Sequence, residues 1–282
     1  MHGMRLLRAR LQGGVQMSLI GLRSKTGSAR VETRGGTMVS WEQDGFGEVL
    51  ALPCESDIGR LDAEVHGGIP ICWPWAVHEG PSGCRIHGIV RYREWSVVSC
   101  TDDAVVLSLD DDAATKVEWP YQFHLELTYR LTDGLDVEFK VKNTGSRSFV
   151  CTELFHPYFR VGDVCQCRVT GTDCARYFWR KEADAGDCRT WQGDFACTRF
   201  VEAVPGFVFE ENGRRHVLID PVLGRELNIC YSGNSKLVIW GDRRFVCVEG
   251  GTPYRDCAYE LDPGQSHGLG MSIQLSRQVC SK

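Results

Sequence analysis

Residues 123–141 read FHLELTYRLTDGLDVEFKV. Phe123, Leu125, Leu127, Tyr129 and Leu131 alternate with His124, Glu126, Thr128 and Arg130. After Thr132-Asp133-Gly134 the alternation resumes, with Leu135, Val137, Phe139 and Val141 set against Asp136, Glu138 and Lys140. A period of two puts all apolar side chains on one face of a strand, and an Asp-Gly pair between two such runs is a hairpin turn. The stretch is therefore a β-hairpin with one wet face and one face committed to a core.

The same grammar continues on both sides. Short apolar runs occur at 105–109 (VVLSL), 237–240 (LVIW), 245–248 (FVCV) and 271–275 (MSIQL), the last after the turn former Asp262-Pro263-Gly264. No segment carries a long helical period. Many short strands, turn signals between them and no Pro/Gly/Ser linker predict an all-β fold, a large antiparallel sandwich. No repeat of fixed period supports a propeller. The expected organisation is an N-terminal arm over residues 1–28, extended or disordered, and a single domain over 29–282.

Composition excludes several classes of partner. The 282 residues carry 32 Lys and Arg against 37 Asp and Glu, a net charge of −5. With no basic helix or arginine-rich run, a nucleic-acid groove or an anionic membrane surface is not expected. No apolar stretch approaches the roughly 18–20 residues of a membrane span. The first acidic residue is Glu32, after Arg5, Arg8, Arg10, Arg23, Lys25 and Arg30, a bias shared by organelle-import segments. An extended arm, with Met17 an internal start-like position, is the simpler reading, and a cytoplasmic location follows from the lack of a secretory apolar core. The fourteen cysteines include one C-x-C, Cys165 and Cys167, and no C-x-x-C. Zinc ribbons and dithiol redox motifs lack their spacing, so free thiols serving mostly as small core residues are expected.

Catalytic signatures of nucleotide, zinc-protease and serine-hydrolase chemistry are missing: no phosphate-binding Gly-rich loop, no H-E-x-x-H and no G-x-S-x-G. What remains is a set of polar residues inside aromatic, turn-rich segments. These are HGGIPICWPW at 66–75, His87, Gly88 and Arg91 in IHGIVRYREW, His156 in TELFHPYFRVGD, and Glu249 in FVCVEGGTPY. Taken singly, each histidine has a structural explanation, since inner polar groups are normally held by hydrogen bonds.

In their order, these segments resemble the glucose-6-phosphate 1-epimerases, the hexose-6-phosphate mutarotase branch of the aldose 1-epimerase family. The pieces that carry the resemblance are Gly67-Gly68-Ile69-Pro70 with Trp73-Pro74-Trp75, His87-Gly88 with Arg91 and Trp95, and His156-Pro157-Tyr158-Phe159 with Val161-Gly162-Asp163. Asp220 with Leu223-Gly224-Arg225, Val246-Cys247-Val248-Glu249 and Leu261-Asp262-Pro263-Gly264-Gln265-Ser266 complete it. The likeness runs from about residue 30 to 275 and implies a galactose-mutarotase-like β-sandwich. It also implies a cofactor-free, metal-free interconversion of the α and β anomers of an aldohexose 6-phosphate, carried out by a monomer on a small-molecule sugar phosphate. Glu249 would be the base that takes the C1 hydroxyl proton and His156 the acid that protonates the ring oxygen. His66, His87, Arg91 and Trp73 would bind substrate, with Trp75 beside Trp73.

Two departures stand out. The family has arginine where this chain has His66, and histidine offers neither a permanent charge nor a bidentate fork for phosphate. Related chains carry a T-D-R-like turn where this one reads Cys197-Thr198-Arg199-Phe200. Arg60 and Arg85 are candidates to replace the lost phosphate contact. Two alternatives stay open at this point: an aldose 1-epimerase for unphosphorylated sugars, and a non-catalytic carbohydrate-binding sandwich.

Overall fold

The hairpin forms as its alternation predicts. In the computed structural model, which describes residues 6–10, 16–52, 66–78, 80–179, 189–202, 206–210 and 215–278, strands Phe123–Leu131 and Leu135–Asn143 pair antiparallel with Leu131 opposite Leu135. Phe123, Leu125, Leu127, Tyr129, Val137 and Phe139 are all essentially inaccessible. The hairpin lies inside a nine-stranded antiparallel sheet, between Ala104–Asp110 on one side and Ser266–Arg277 on the other. The runs at 105–109, 237–240, 245–248 and 271–275 all fall within strands.

A second, eight-stranded sheet faces the first and contains Phe207–Glu210, Lys236–Gly241, Phe245–Thr252, Glu153–Phe155 and Ile71–Cys72. Tyr158–Arg160 also pairs with Phe245–Thr252. One continuous apolar cluster includes Leu127, Phe139, Ile229 and Ile273 of the first sheet and Leu237, Ile239, Val246 and Val248 of the second. Burying each such side chain contributes about 1.5–3 kcal/mol, so this layer is the main source of stability. The architecture is the expected antiparallel β-sandwich.

Three details depart from the sequence reading. A five-stranded sheet contains Gln16–Arg23 paired with Gly27–Glu32, and Ile20 and Leu22 are buried, so part of the expected arm belongs to the folded sheets. One short helix, Ala113–Glu118, is present; its start is fixed by the Asp112 carboxylate accepting from the Thr115 backbone N–H at 2.7 Å. Six residues are too few to show a helical period. The described cysteines are free thiols, but only Cys72, Cys151, Cys167, Cys197 and Cys247 are buried, while Cys165, Cys174 and Cys230 are exposed. No helix among the described residues is long and apolar enough to cross a membrane.

One side chain ties the hairpin to the chemistry. The buried Tyr129 hydroxyl donates to the Gly36 carbonyl at 2.8 Å and also lies 3.2 Å from the Ile69 carbonyl. Ile69 sits in the G-G-I-P run, so the hairpin's core face anchors the segment that precedes the candidate site.

Candidate active site

The site grows from the strand Phe245–Thr252. Its alternation sends Val246 and Val248 into the core between the sheets and turns Phe245, Cys247 and Glu249 to the other face. Antiparallel pairing sets Cys247 opposite both Tyr158 and Trp240. His156 lies just before Tyr158, and its backbone N–H donates to the Pro70 carbonyl at 3.1 Å. This brings the His156 Nε2 to 3.6 Å from the Glu249 Oε1, with the two side chains 6% and 3% exposed. A histidine and a carboxylate 93 positions apart in sequence thus form one buried pair, as an acid–base reaction requires.

Aromatic rings fix the histidine. Tyr158 stacks on the His156 imidazole at 4.7 Å between centroids and 9° between planes, and Trp240 stands edge-on to both at 5.8 and 6.1 Å. Burial pushes the Tyr158 phenol far above its ordinary pKa, opposed in part by the positive charge of Arg91. Trp240 is half-buried and therefore within reach of a ligand. Burial likewise raises the Cys247 thiol, which stays protonated beside the pair.

His87 completes the cluster with its ring 5.3 Å from that of His156 and nearly perpendicular to it. It is held by two hydrogen bonds: its backbone N–H donates to the Val77 carbonyl at 3.0 Å, and its Nδ1 accepts from the Val77 N–H at 3.1 Å. The neutral ring therefore carries its proton on Nε2. Both residues sit in the left-handed region, at φ 61° and 46°, a conformation that costs about 1–3 kcal/mol per residue and gathers at functional sites. Next to His87, Gly88 has φ 78° and bridges to Trp73; a Cβ there would stand 2.0 Å from the Trp73 carbonyl oxygen. Gly68 meets the same limit, 2.2 Å from the Met38 carbonyl oxygen. These glycines are demanded by backbone packing.

The other expected residues divide. Arg91 is buried in the short turn Val90–Tyr92, near enough to act on Tyr158. His66 lies exposed at the rim, with its ring edge-on to Tyr158 at 6.4 Å. Trp73 is not a sugar contact: its ring is fully inaccessible, packed edge-on against Trp119 and Phe123 at 4.8 Å each and Phe149 at 6.4 Å. Its neighbours are core aromatics, so it backs the wall from behind. Trp75 is also buried, donating from Nε1 to the Arg85 carbonyl at 2.8 Å. The exposed Arg85 guanidinium lies over the Tyr92 ring at 4.3 Å; Arg60 lies outside the described residues. In the Cys197-Thr198-Arg199-Phe200 turn, Arg199 packs over Trp191 at 4.9 Å. Asp220, by contrast, is structural: its carboxylate accepts from the backbone N–H groups of Gly162, Val222 and Leu223.

Sequence reasoning passed over Tyr158, Trp240 and Cys247 as members of the cluster. Cys247 was available from the strand period, which places it on the face of Glu249, but Trp240 required knowledge of the strand pairing.

With this geometry in place, the comparison with known proteins is decisive: the family model for aldose 1-epimerase matches residues 18–274. The chain belongs to the aldose 1-epimerase family. It is an isomerase of the mutarotase type with a sugar substrate. An Escherichia coli protein assigned as a glucose-6-phosphate 1-epimerase is 29% identical over 87% of this chain and 86% of its own length. A Salmonella typhimurium protein with the same assignment is 28% identical over the same shares. Solved structures share the fold. A Salmonella typhimurium protein assigned as a mutarotase superposes with TM-score 0.80 at 22% identity, over 97% of each chain. A galactose mutarotase-like protein from Lactobacillus casei superposes at 0.76 and 19% identity, over 92% of this chain and all of that one.

Proposed function

We propose that this member of the family is a hexose-6-phosphate mutarotase, with glucose 6-phosphate its substrate, and that Glu249 and His156 are its base and acid. The observation that carries the reading is the buried pair at 3.6 Å. Ring opening needs a proton removed from the C1 hydroxyl and a proton delivered to the ring oxygen, after which the aldehyde rotates and closure on the other face inverts the anomer. Two groups on one side of a bound sugar, each able to take either role, run this cycle forwards and backwards without a cofactor or metal. A purely binding sandwich has no use for such a pair.

His87 is the sugar-hydroxyl donor in this reading, through Nε2, and the half-buried Trp240 is the apolar platform for the ring. Arg91 supplies buried positive charge, while His66 and Arg85 meet the phosphate at the rim. The relatives assigned as glucose-6-phosphate 1-epimerases support this substrate. The net charge of −5 fits a cytoplasmic monomer working on a small molecule, with no nucleic-acid or membrane partner.

The exposed His66 at the rim favours a second reading, in which the substrate is an unphosphorylated aldose. Exchange NMR on freshly dissolved α-glucose 6-phosphate and α-glucose separates the two. The proposal expects acceleration of the phosphate ester in preference to glucose, reduced about 10²–10⁴-fold in Glu249→Gln, the range of a lost general base. Preference for glucose moves the chain to the second reading, and a folded Glu249→Gln protein with the normal rate removes Glu249 from the mechanism.

A further inference from the structure

Cys247 has no part in the mutarotation cycle, yet it stands inside the catalytic cluster. One ligand atom each of His156, Cys247 and Glu249 lies within 4.8 Å of the others, and all three residues are buried. Two ligand atoms on one tetrahedral zinc ion, at bond lengths of roughly 2.0–2.3 Å, stand about 3.3–3.6 Å apart. The His156 Nε2 and Glu249 Oε1 are 3.6 Å apart without any adjustment. The thiol sulfur lies no more than 4.8 Å from either atom, so a shift of at most about 1.3 Å completes the face, within reach of a side-chain rotation.

The scaffold favours that closure. Cys247 and Glu249 are two residues apart on one face of a central strand, and His156 is carried by the segment paired to it at Tyr158. The stacked Tyr158 ring keeps the imidazole in place. A nitrogen, a sulfur and one carboxylate oxygen form a donor set for soft and borderline cations, whereas magnesium and calcium require mostly oxygen ligands.

We propose that Cys247 converts the acid–base pair into a binding site for a thiophilic divalent cation of the zinc or cadmium class, and that occupancy of this site shuts off mutarotation. Binding forms metal–sulfur, metal–nitrogen and metal–oxygen bonds, and the thiol proton leaves to solvent. The metal then occupies the imidazole lone pair and the carboxylate oxygen that the reaction uses, so sugar and metal exclude one another. Inhibition rests on the acid–base reading given above; the site itself does not.

The test uses the full chain stripped of metal with a chelator. Cobalt(II) is titrated into wild type, Cys247→Ser and Cys247→Ala, and the thiolate-to-cobalt charge-transfer band is read alongside thermal melts that show each variant folded. Wild type is expected to show the band, both variants to lose it, and saturating glucose 6-phosphate to suppress it. In parallel, zinc should inhibit wild-type mutarotation and be at least tenfold weaker on either variant, each measured against that variant's own zinc-free rate. A band of equal intensity in the variants assigns the metal to another of the cysteines and overturns the proposal, as does its absence in wild type or equal zinc sensitivity in all three proteins. If no form of the protein mutarotates, the proposed function fails, while the cobalt band still decides the metal site.

Discussion

Replacing Gly88 by alanine tests the link between backbone and catalysis most directly. The new Cβ would lie 2.0 Å from the Trp73 carbonyl oxygen and 2.4 Å from its carbon, and main-chain atoms of a packed segment cannot swing aside as a side-chain tip would. The two segments must separate by roughly 1.4 Å to reach ordinary contact, which breaks the 2.9 Å hydrogen bond from the Ile89 N–H to the Trp73 carbonyl. That bond is worth about 1 kcal/mol, and its loss is added to about 1–2 kcal/mol for an alanine at φ 78°. The expected destabilisation is therefore about 2–3 kcal/mol, seen as a fall in Tm of roughly 3–6 °C for a chain of this size. The adjacent His87 moves with the segment, and a misplacement near 1 Å costs on the order of 10²-fold in rate. Thermal unfolding followed by circular dichroism and anomer exchange by NMR read the two effects. A Gly88→Ala protein with wild-type Tm and rate would refute the packing argument and the positioning of His87 that depends on it.

Other consequences follow from the same geometry. His156→Gln should slow exchange about 10²–10⁴-fold, and the double variant with Glu249→Gln should be little slower than either single one, because groups acting as a unit are not additive. Tyr129→Phe leaves the Gly36 carbonyl buried without its donor and should cost about 1–3 kcal/mol in denaturant unfolding; an unchanged midpoint would deny the anchor its role. A pH effect on stability should arise from His267. The Glu153 carboxylate, 3.0 Å from its Nε2, holds the imidazole above its ordinary pKa, and the Tyr259 ring packs against it at 4.1 Å. A raised folded-state pKa means that the stabilisation is complete below about 6.5 and fades as pH rises through the higher folded value. Melting curves of wild type and His267→Gln should therefore converge from pH 6 to pH 9, and a gap that widens would reverse the assignment.

Much of this protein is written locally. Alternation at 123–131 and 135–141 fixed the hairpin because a period of two leaves one face for a core, and the turn at Asp133-Gly134 set its register. The order of the G-G-I-P, H-G, H-P-Y-F and V-C-V-E segments named the residues proposed for the chemistry. The helix at 113–118 escaped because a single capped turn has no period to read, and the strand at 16–23 escaped because a basic flank masked the alternation that buries Ile20 and Leu22.

Pairing between distant strands decided the rest. The sequence holds His66, His87 and His156 in similar aromatic settings; the family resemblance singled out His156 as the partner of Glu249, but no periodicity or spacing brings the two together. Strand pairing with 245–252 brings His156 to the carboxylate, while His66 stays at the rim and the His87 ring stands 5.3 Å from that of His156. Trp73 and Trp240 are equally aromatic, yet one is sealed among Trp119, Phe123 and Phe149 and the other is only half-buried. Hydrophobicity is a property of a residue, and the sequence carries it; which face a residue presents depends on the register of a partner strand tens of positions away, and only the assembled sheets supply that.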